Sequence, residues 1–242
     1  ESVEKMSLDY DFNFLMISQH SPRKNFENSI KWWVEEFIDQ EVGLIVKTNT
    51  KNNSLIDFEY TNQFIKNLIS GYKDRKCKVY LLHGDLTNSQ MAGLYTNSKI
   101  KSLINIAHGE GFGLPMFEAA REALPVITIG WSGQQDFLHH DGKDYYTPVD
   151  FTLQPVQPEA VWDGVIERDS MWAHADQGSY KMNLRKVFKN WDAKKQTAIE
   201  LQSIINEKFS YEKLYEGFCE HFNSEEDIDQ WLKEIESDIE EF

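Results

Sequence analysis

His108-Gly109-Glu110-Gly111-Phe112-Gly113-Leu114-Pro115-Met116-Phe117-Glu118 is the stretch whose reading decides the fold. An apolar run, Leu103 to Ala107, precedes it, and an amphipathic stretch from about Leu114 to Glu122 follows. The stretch therefore reads as a turn from a strand into a helix. Its glycines let the backbone approach a ligand closely. Backbone N–H groups of a first helical turn face one point, where the helix dipole favours an anion. Pro115 suits that turn, because its missing N–H costs nothing there. The loop is built for a phosphate. Two carboxylates flank it, Glu110 before the helix and Glu118 about one turn inside. Carboxylates repel phosphate and accept hydrogen bonds from hydroxyls. A ligand with hydroxyls on both sides of its phosphates fits: the ribose, diphosphate and hexose of a nucleotide sugar.

Outward from this loop, apolar runs alternate with amphipathic stretches. Strands are expected at Phe12 to Ile17, Val42 to Val46, Val79 to Leu82, Leu103 to Ala107 and Val126 to Ile129. Helices are expected at Phe26 to Phe37, at Tyr60 to Ile69 and through Tyr95, the last opened by a capping box of Thr87 and Gln90. This alternation implies an α/β fold, a Rossmann-like parallel sheet with helices on both faces. Ligands of such sheets bind at the carboxyl ends of the strands. From about Asp150 the pattern changes. Pro148, Pro155 and Pro158 mark an irregular stretch, and helices then dominate: Asp176 to Asn190, Ala193 to Lys208, Tyr211 to Phe222, and Glu225 to the end. The expected organisation is a nucleotide-sugar-binding domain over 1–222 and an acidic C-terminal helix or tail over 223–242.

The residues then reach a known family. Glu110 and Glu118 have seven residues between them, within Gly-Glu-Gly-Phe-Gly-Leu-Pro-x-x-Glu-Ala. This resembles the Glu-x7-Glu signature of retaining glycosyltransferases of the group 1 (family 4) type. Leu124-Pro125-Val126-Ile127, Ser132-Gly133, Ser21-Pro22-Arg23-Lys24-Asn25, Met171-Trp172-Ala173 and Leu184-Arg185-Lys186-Val187 also look like that family. The resemblance runs from about Phe12 to Phe218. It implies the C-terminal, donor-binding half of a GT-B fold, with a helical C-terminal extension. The acceptor-binding half would normally precede it; a missing N-terminal domain or a partner chain is thus implied.

The resemblance also implies roles. Lys24 matches the lysine that contacts the donor phosphates. Glu118 matches the glutamate that binds the ribose hydroxyls, and Glu110 the one near the transferred sugar, the catalytic position. Backbone N–H groups of Gly111, Phe112, Gly113 and Leu114 would hold the diphosphate and the sugar hydroxyls. Leu86 or Thr87 would lie near the base. His108 is beside the motif, either touching substrate or shaping the loop. Where the family often shows Gly-Arg after the first strand, Ser18-Gln19 stands here. Arg23 then has two open placements: beside the phosphates in that arginine's stead, or in solvent. The expected activity is transfer of a hexose from a nucleoside diphosphate sugar to a hydroxyl acceptor with retention. It needs no metal or other cofactor. The competing reading is a non-catalytic nucleotide-sugar-binding module that lacks its acceptor domain. A phosphorylase-like GT-B enzyme should show a pyridoxal-phosphate lysine pattern, and none is visible.

Other features read more plainly. Gly109-x-Gly111-x-Gly113 lacks the spacing of a dinucleotide fingerprint. Asp9-x-Asp11 reads as a solvated pair, His139-His140-Asp141 as exposed polar residues, and Trp32-Trp33 as partly core and partly surface. Cys77 and Cys219 read as inert thiols of a reducing compartment. The formal net charge is −15, which makes nucleic acid a poor partner. Between Ser224 and Phe242 stand nine acidic residues and one lysine, about half of that charge. No signal peptide or membrane-spanning run is visible, so a cytoplasmic location is expected, with contact to a membrane surface through the acceptor as an option. The first residue is not Met, which is expected of a fragment.

Overall fold

The computed structural model describes residues 6–220 and Lys233. Four strand–helix steps and a fifth strand build most of the sheet. They run β1 (Asn13–Ile17), α1 (Phe26–Glu36), β2 (Gly43–Lys47), α2 (Leu55–Leu68), β3 (Lys78–Leu82), α3 (Asn88–Thr96), β4 (Ile100–Asn105), α4 (Leu114–Arg121) and β5 (Val126–Ile129). A short helix α5 (Gln135–Leu138) and a two-residue hairpin, β6 (His139–His140) with β7 (Lys143–Asp144), lead to the sixth strand, β8 (Thr147–Val149). The strands lie in the order β3-β2-β1-β4-β5-β8, all parallel. After the sheet come an antiparallel hairpin, β9 (Phe151–Pro155) with β10 (Met171–Ala175), and α6 (Gln177–Lys189), α7 (Trp191–Lys208) and α8 (Tyr211–Glu220).

Both faces of the sheet are covered, which is why its central strands are apolar without alternation. Phe14 and Met16 of β1, Leu44 and Val46 of β2, and Ile104 of β4 share one core with Ile30, Trp33 and Val34 of α1, Ile65 of α2, and Tyr180, Leu184 and Val187 of α6. Their neighbours Leu15, Ile45 and Leu103 are as deeply buried. On that face α3 and α4 pack against β4 and β5. This is the expected α/β architecture, with helices following the sheet at the C-terminal end.

Several elements depart from the expected pattern. α2 starts at Leu55 rather than Tyr60, because Ser54 caps it by accepting from the Asp57 amide at 3.2 Å. β4 starts at Ile100 and ends at Asn105, before Ala107. β8 was not expected; it carries Pro148 at the edge of the sheet, where a missing N–H is tolerated. The stretch after Asp150 holds a hairpin rather than irregular chain. His140 is buried, with its Nε2 3.1 Å from the Phe137 carbonyl, rather than exposed. His139 lies 2.6 Å from Asp144. Trp33 is fully buried and Trp32 packs on Tyr180. Asp9 pairs with Lys78 and Asp11 with Lys99.

The chain divides into two compact units, Glu1–Gln202 and Ser203–Phe242. The acidic 223–242 segment, Lys233 excepted, and the helix expected from Glu225 lie outside the described residues. Among the described residues no helix is long and apolar enough to cross a membrane. Cys77 and Cys219 are both free, and burial pushes the Cys77 thiol up to about 11.

Phe14 is the pivot of the core, with its ring centroid 5.3 Å from Phe37 and 6.2 Å from Trp33. Phe14→Ala is expected to cost about 3–5 kcal/mol, read as a lower urea midpoint at unchanged slope. A loss below about 1 kcal/mol would mean the site collapses freely and is not close-packed.

Candidate functional site

The strand order reverses between β1 and β4, and the loops leaving these two strands form the candidate site. After β1 the chain makes one 3-10 turn, Pro22–Lys24, and Asn25 then adopts the left-handed conformation at φ 50° before α1 begins. Two links tie this turn to the end of β4. The His108 amide donates to the Arg23 carbonyl at 2.8 Å, and the Asn25 side chain donates to the Ile106 carbonyl at 3.2 Å. The turn therefore presents Arg23 and Lys24 to the Gly-rich loop.

There they meet Glu110. The Lys24 ammonium donates to both carboxylate oxygens, at 2.6 and 2.7 Å. Arg23 donates to Glu110 Oε2 at 3.3 Å and also to the Gly109 carbonyl, and Asn105 donates to Glu110 Oε1 at 3.1 Å. Glu110 keeps only 8% of its surface exposed. Burial alone would push its carboxyl up, but Lys24, Asn105 and Arg23 together hold it below its ordinary value. Of the two open placements for Arg23, the structure shows one that touches the loop. Its side chain stays 41% exposed.

A second loop clamps Glu110 from behind. Ser132, at φ 79°, donates its hydroxyl to the Glu110 carbonyl at 2.6 Å and accepts from the Glu110 amide at 3.2 Å. The Gly133 amide donates to the same carbonyl at 3.1 Å. A Cβ at Gly133 would stand 1.9 Å from the Gly111 carbonyl oxygen, so only glycine allows this approach. Gly113, at φ 88°, is the N-cap of α4. Among the described residues, the amides of Gly111, Phe112, Gly113 and Leu114 meet no protein acceptor. Gly111, Phe112 and Leu114 are exposed, and the Phe112 ring rests on Phe117 and Phe137. Open amides at a helix N-terminus are groups that can receive an anion.

Glu118 accepts from the Tyr95 hydroxyl at 2.7 Å. Burial and then the Glu118 charge push the Tyr95 phenol up, so it remains a donor and fixes that carboxylate. Leu86 lines a cleft of about 500 Å³ with Gln19, Arg23, Lys24, Lys47 and Pro115. A neighbouring cleft of about 300 Å³ holds Glu118 and Tyr95, and Met91 lines both. Lys47, at the end of β2, donates to the Gly84 carbonyl at 2.6 Å. His108 is buried and stacked on Trp172 at 5.4 Å, with its Nδ1 2.9 Å from the Ala173 carbonyl. A carbonyl can only accept, so Nδ1 carries the proton. Burial pushes the ring's pKa down, leaving Nε2 a lone pair. These contacts tie the start of the loop to β10 and to the Pro22–Lys24 turn.

Arg23, Lys24 and Glu110 come together at the head of the loop that carries the Gly111 to Leu114 amides; Leu86 lines the cleft of Arg23 and Lys24, and Glu118 sits in the neighbouring cleft with Tyr95. Tyr95, Asn105 and Lys47 were not expected. Lys47 was readable as a charge at the carboxyl end of a strand, whereas Tyr95 carried no such signal. Among the described residues no group of three or more His, Cys, Asp or Glu is placed to hold a metal ion.

No protein-family model matches this chain, and no curated protein does. Solved structures do. HepE from Anabaena, in a structure with UDP and glucose, gives a TM-score of 0.61 at 14% identity, over 88% of this chain and 48% of that one. Sucrose-phosphate synthase from Thermosynechococcus elongatus gives 0.60 at 16% identity, over 87% and 45%. The C-terminal domain of a glycosyl transferase group 1 family protein, LpcC from Francisella tularensis, gives 0.53 at 12% identity, over 83% and 87%. The chain thus spans about half the length of the first two and most of the third. At such identities the likeness establishes the fold alone, that of the C-terminal half of GT-B glycosyltransferases.

Two outcomes are expected from this geometry. Lys24→Met removes the strongest charge beside Glu110, so burial should lift the Glu110 carboxyl above its ordinary value in a carbon-detected NMR titration. A carboxyl that still titrates below it would show that Asn105 and Arg23 suffice. Gly133→Ala should displace the Gly111 carbonyl, shifting Glu110 to Leu114 amide resonances while those of β2 and β3 stay in place. Unmoved loop resonances would refute the clamp.

Proposed function

We propose that this chain binds a nucleoside diphosphate sugar and forms the donor site of a retaining hexosyltransferase. One observation carries the reading: Lys24 and Arg23 meet Glu110 at the switch point of the sheet, at the head of a loop whose Gly111 to Leu114 amides meet no acceptor among the described residues. The diphosphate would lie between the Pro22–Lys24 turn and the N-terminus of α4. The ribose would lie at Glu118, held ready by Tyr95, and the base near Leu86. The shared lining of their two clefts by Met91 supports that order. Glu110 would face the hexose. HepE structures hold UDP with glucose and UDP-glucose, which supports a nucleotide-sugar donor.

As the glycosidic bond breaks, negative charge gathers on the departing diphosphate. Lys24 and the loop amides would stabilise that charge more in the transition state than in the ground state. No metal or other cofactor is needed for this. Glu110 would orient the sugar hydroxyls, and the hydroxyl acceptor would attack from the face the diphosphate leaves. A second reading, a nucleotide-sugar-binding module without activity of its own, draws on Gln19. This uncharged side chain lines the cleft where the resembled family often has an arginine.

Titration with UDP, GDP and ADP, without metal, is expected to show binding of at least one. No binding of any at millimolar concentration would end the donor-site reading. Lys24→Ala should weaken the bound diphosphate about tenfold, as a charged hydrogen bond is worth about 1.5–3 kcal/mol, and leave the nucleoside nearly unaffected. Glu118→Gln should weaken the bare diphosphate, whereas Glu110→Gln should mainly reduce the extra affinity given by the attached sugar. The reverse ranking in calorimetry would exchange the two roles.

A further inference from the structure

The segment Ser18 to Asn28 lines two cavities and shares no residue between them. Ser18, Gln19, Arg23 and Lys24 face the donor cleft. His20, Ser21, Asn25 and Asn28 face a second cavity of about 360 Å³, completed by His108 and by Gln157 and Glu159 from the turn after β9. That turn, Pro158–Ala160, packs against the Pro22–Lys24 turn. The interleaving sets the two cavities side by side.

Their charges differ. Arg23, Lys24 and Lys47 line the first, with Asp85 as its acid. Among the described residues no lysine or arginine lines the second, which has Glu27 and Glu159. An anion there would face two carboxylates without a cation. The remaining polar groups suit hydroxyls. Gln157 and Ser21 both donate and accept, Asn28 keeps its carbonyl oxygen and a second N–H beside its bond to Asn25, and the His108 Nε2 accepts because its Nδ1–H is spent on Ala173. Pro22 and Phe26 add an apolar wall for C–H groups. The volume falls in the range of small-molecule sites, about 300–1,000 Å³.

We propose that this second cavity is a saccharide subsite for an uncharged, hydroxyl-rich ring, and that it holds the acceptor beside the donor cleft. The acceptor role rests on the donor-site reading above; the binding itself does not.

The experiment is a ligand-observed NMR titration with methyl glycosides of glucose, galactose, mannose and N-acetylglucosamine. Methyl glucuronide serves as the anionic control, and UDP is titrated in parallel. At least one neutral glycoside should bind at millimolar concentration, and the glucuronide several-fold more weakly. Glu159 is exposed, so Glu159→Ala threatens no core packing. It should weaken the glycoside about tenfold, the size of one charge-assisted hydrogen bond, and leave UDP unchanged. Lys24→Ala should do the reverse. Three results would overturn the subsite: no neutral glycoside binds, the glucuronide binds best, or Glu159→Ala lowers UDP affinity as much as glycoside affinity. A glycoside that binds where UDP does not would keep the subsite and remove the donor reading.

Discussion

A carboxylate with 8% of its surface exposed must be answered by charge, because an uncompensated buried ion costs several kcal/mol. Glu110 is answered by Lys24, 86 residues earlier in the chain. The sheet makes that meeting possible. β1 and β4 are neighbours although two strands separate them in sequence, so the turn after one reaches the loop after the other. Backbone links from His108 to Arg23 and from Asn25 to Ile106 set the height at which the ammonium arrives. Ser132 and Gly133 fix the carboxylate's own backbone from the other side. The loop amides and the start of α4 take their position from this one ion pair and its two clamps.

Much of the fold was legible because both faces of the sheet are buried. Continuous apolar runs at β1, β2 and β5 admit few other readings, and capping residues mark α3. The misses share a physical cause. α2 opens with Leu55, Ile56, Phe58 and Tyr60, which are exposed, so no apolar stripe announces its first turn. β8 has three residues and a proline, too short for a period to show. The β9–β10 hairpin alternates, but its outward residues include Leu153 and Met171, which blur the alternation.

The site was legible in kind and not in contact. The Gly-rich loop and its two glutamates were readable because a strand-to-helix turn of that composition suits an anion, whereas Lys24 was named only through the resemblance to a known family. That Lys24 rests on Glu110 was not, since spacing along a chain says nothing about which side chains pair across a sheet. Tyr95 and Glu118 are 23 residues apart and meet only because α3 and α4 lie together on one face. Asn105 escaped notice because a strand-end amide looks like any polar terminus until its partner is placed.

The charge of the whole chain argues against phosphate binding, yet its reach is short. At physiological salt, exposed charges are screened beyond about 8 Å, so the −15 total says less than the groups at hand. Those groups are already spoken for, since Lys24 gives two of its three N–H bonds to Glu110. On the proposed reading, a diphosphate must draw Lys24 partly away from this carboxylate. Each bond so moved leaves a buried Glu110 oxygen with only its longer partner, Asn105 at 3.1 Å on Oε1 or Arg23 at 3.3 Å on Oε2. A hydroxyl of the attached hexose is a donor suited to that oxygen. A bare diphosphate therefore gains Lys24 at the cost of weakening the charge pairing of Glu110, whereas a sugar nucleotide makes up part of that loss with its own hydroxyl. Phosphate recognition and sugar recognition become one coupled exchange, and the hexose contributes more than its direct contacts alone.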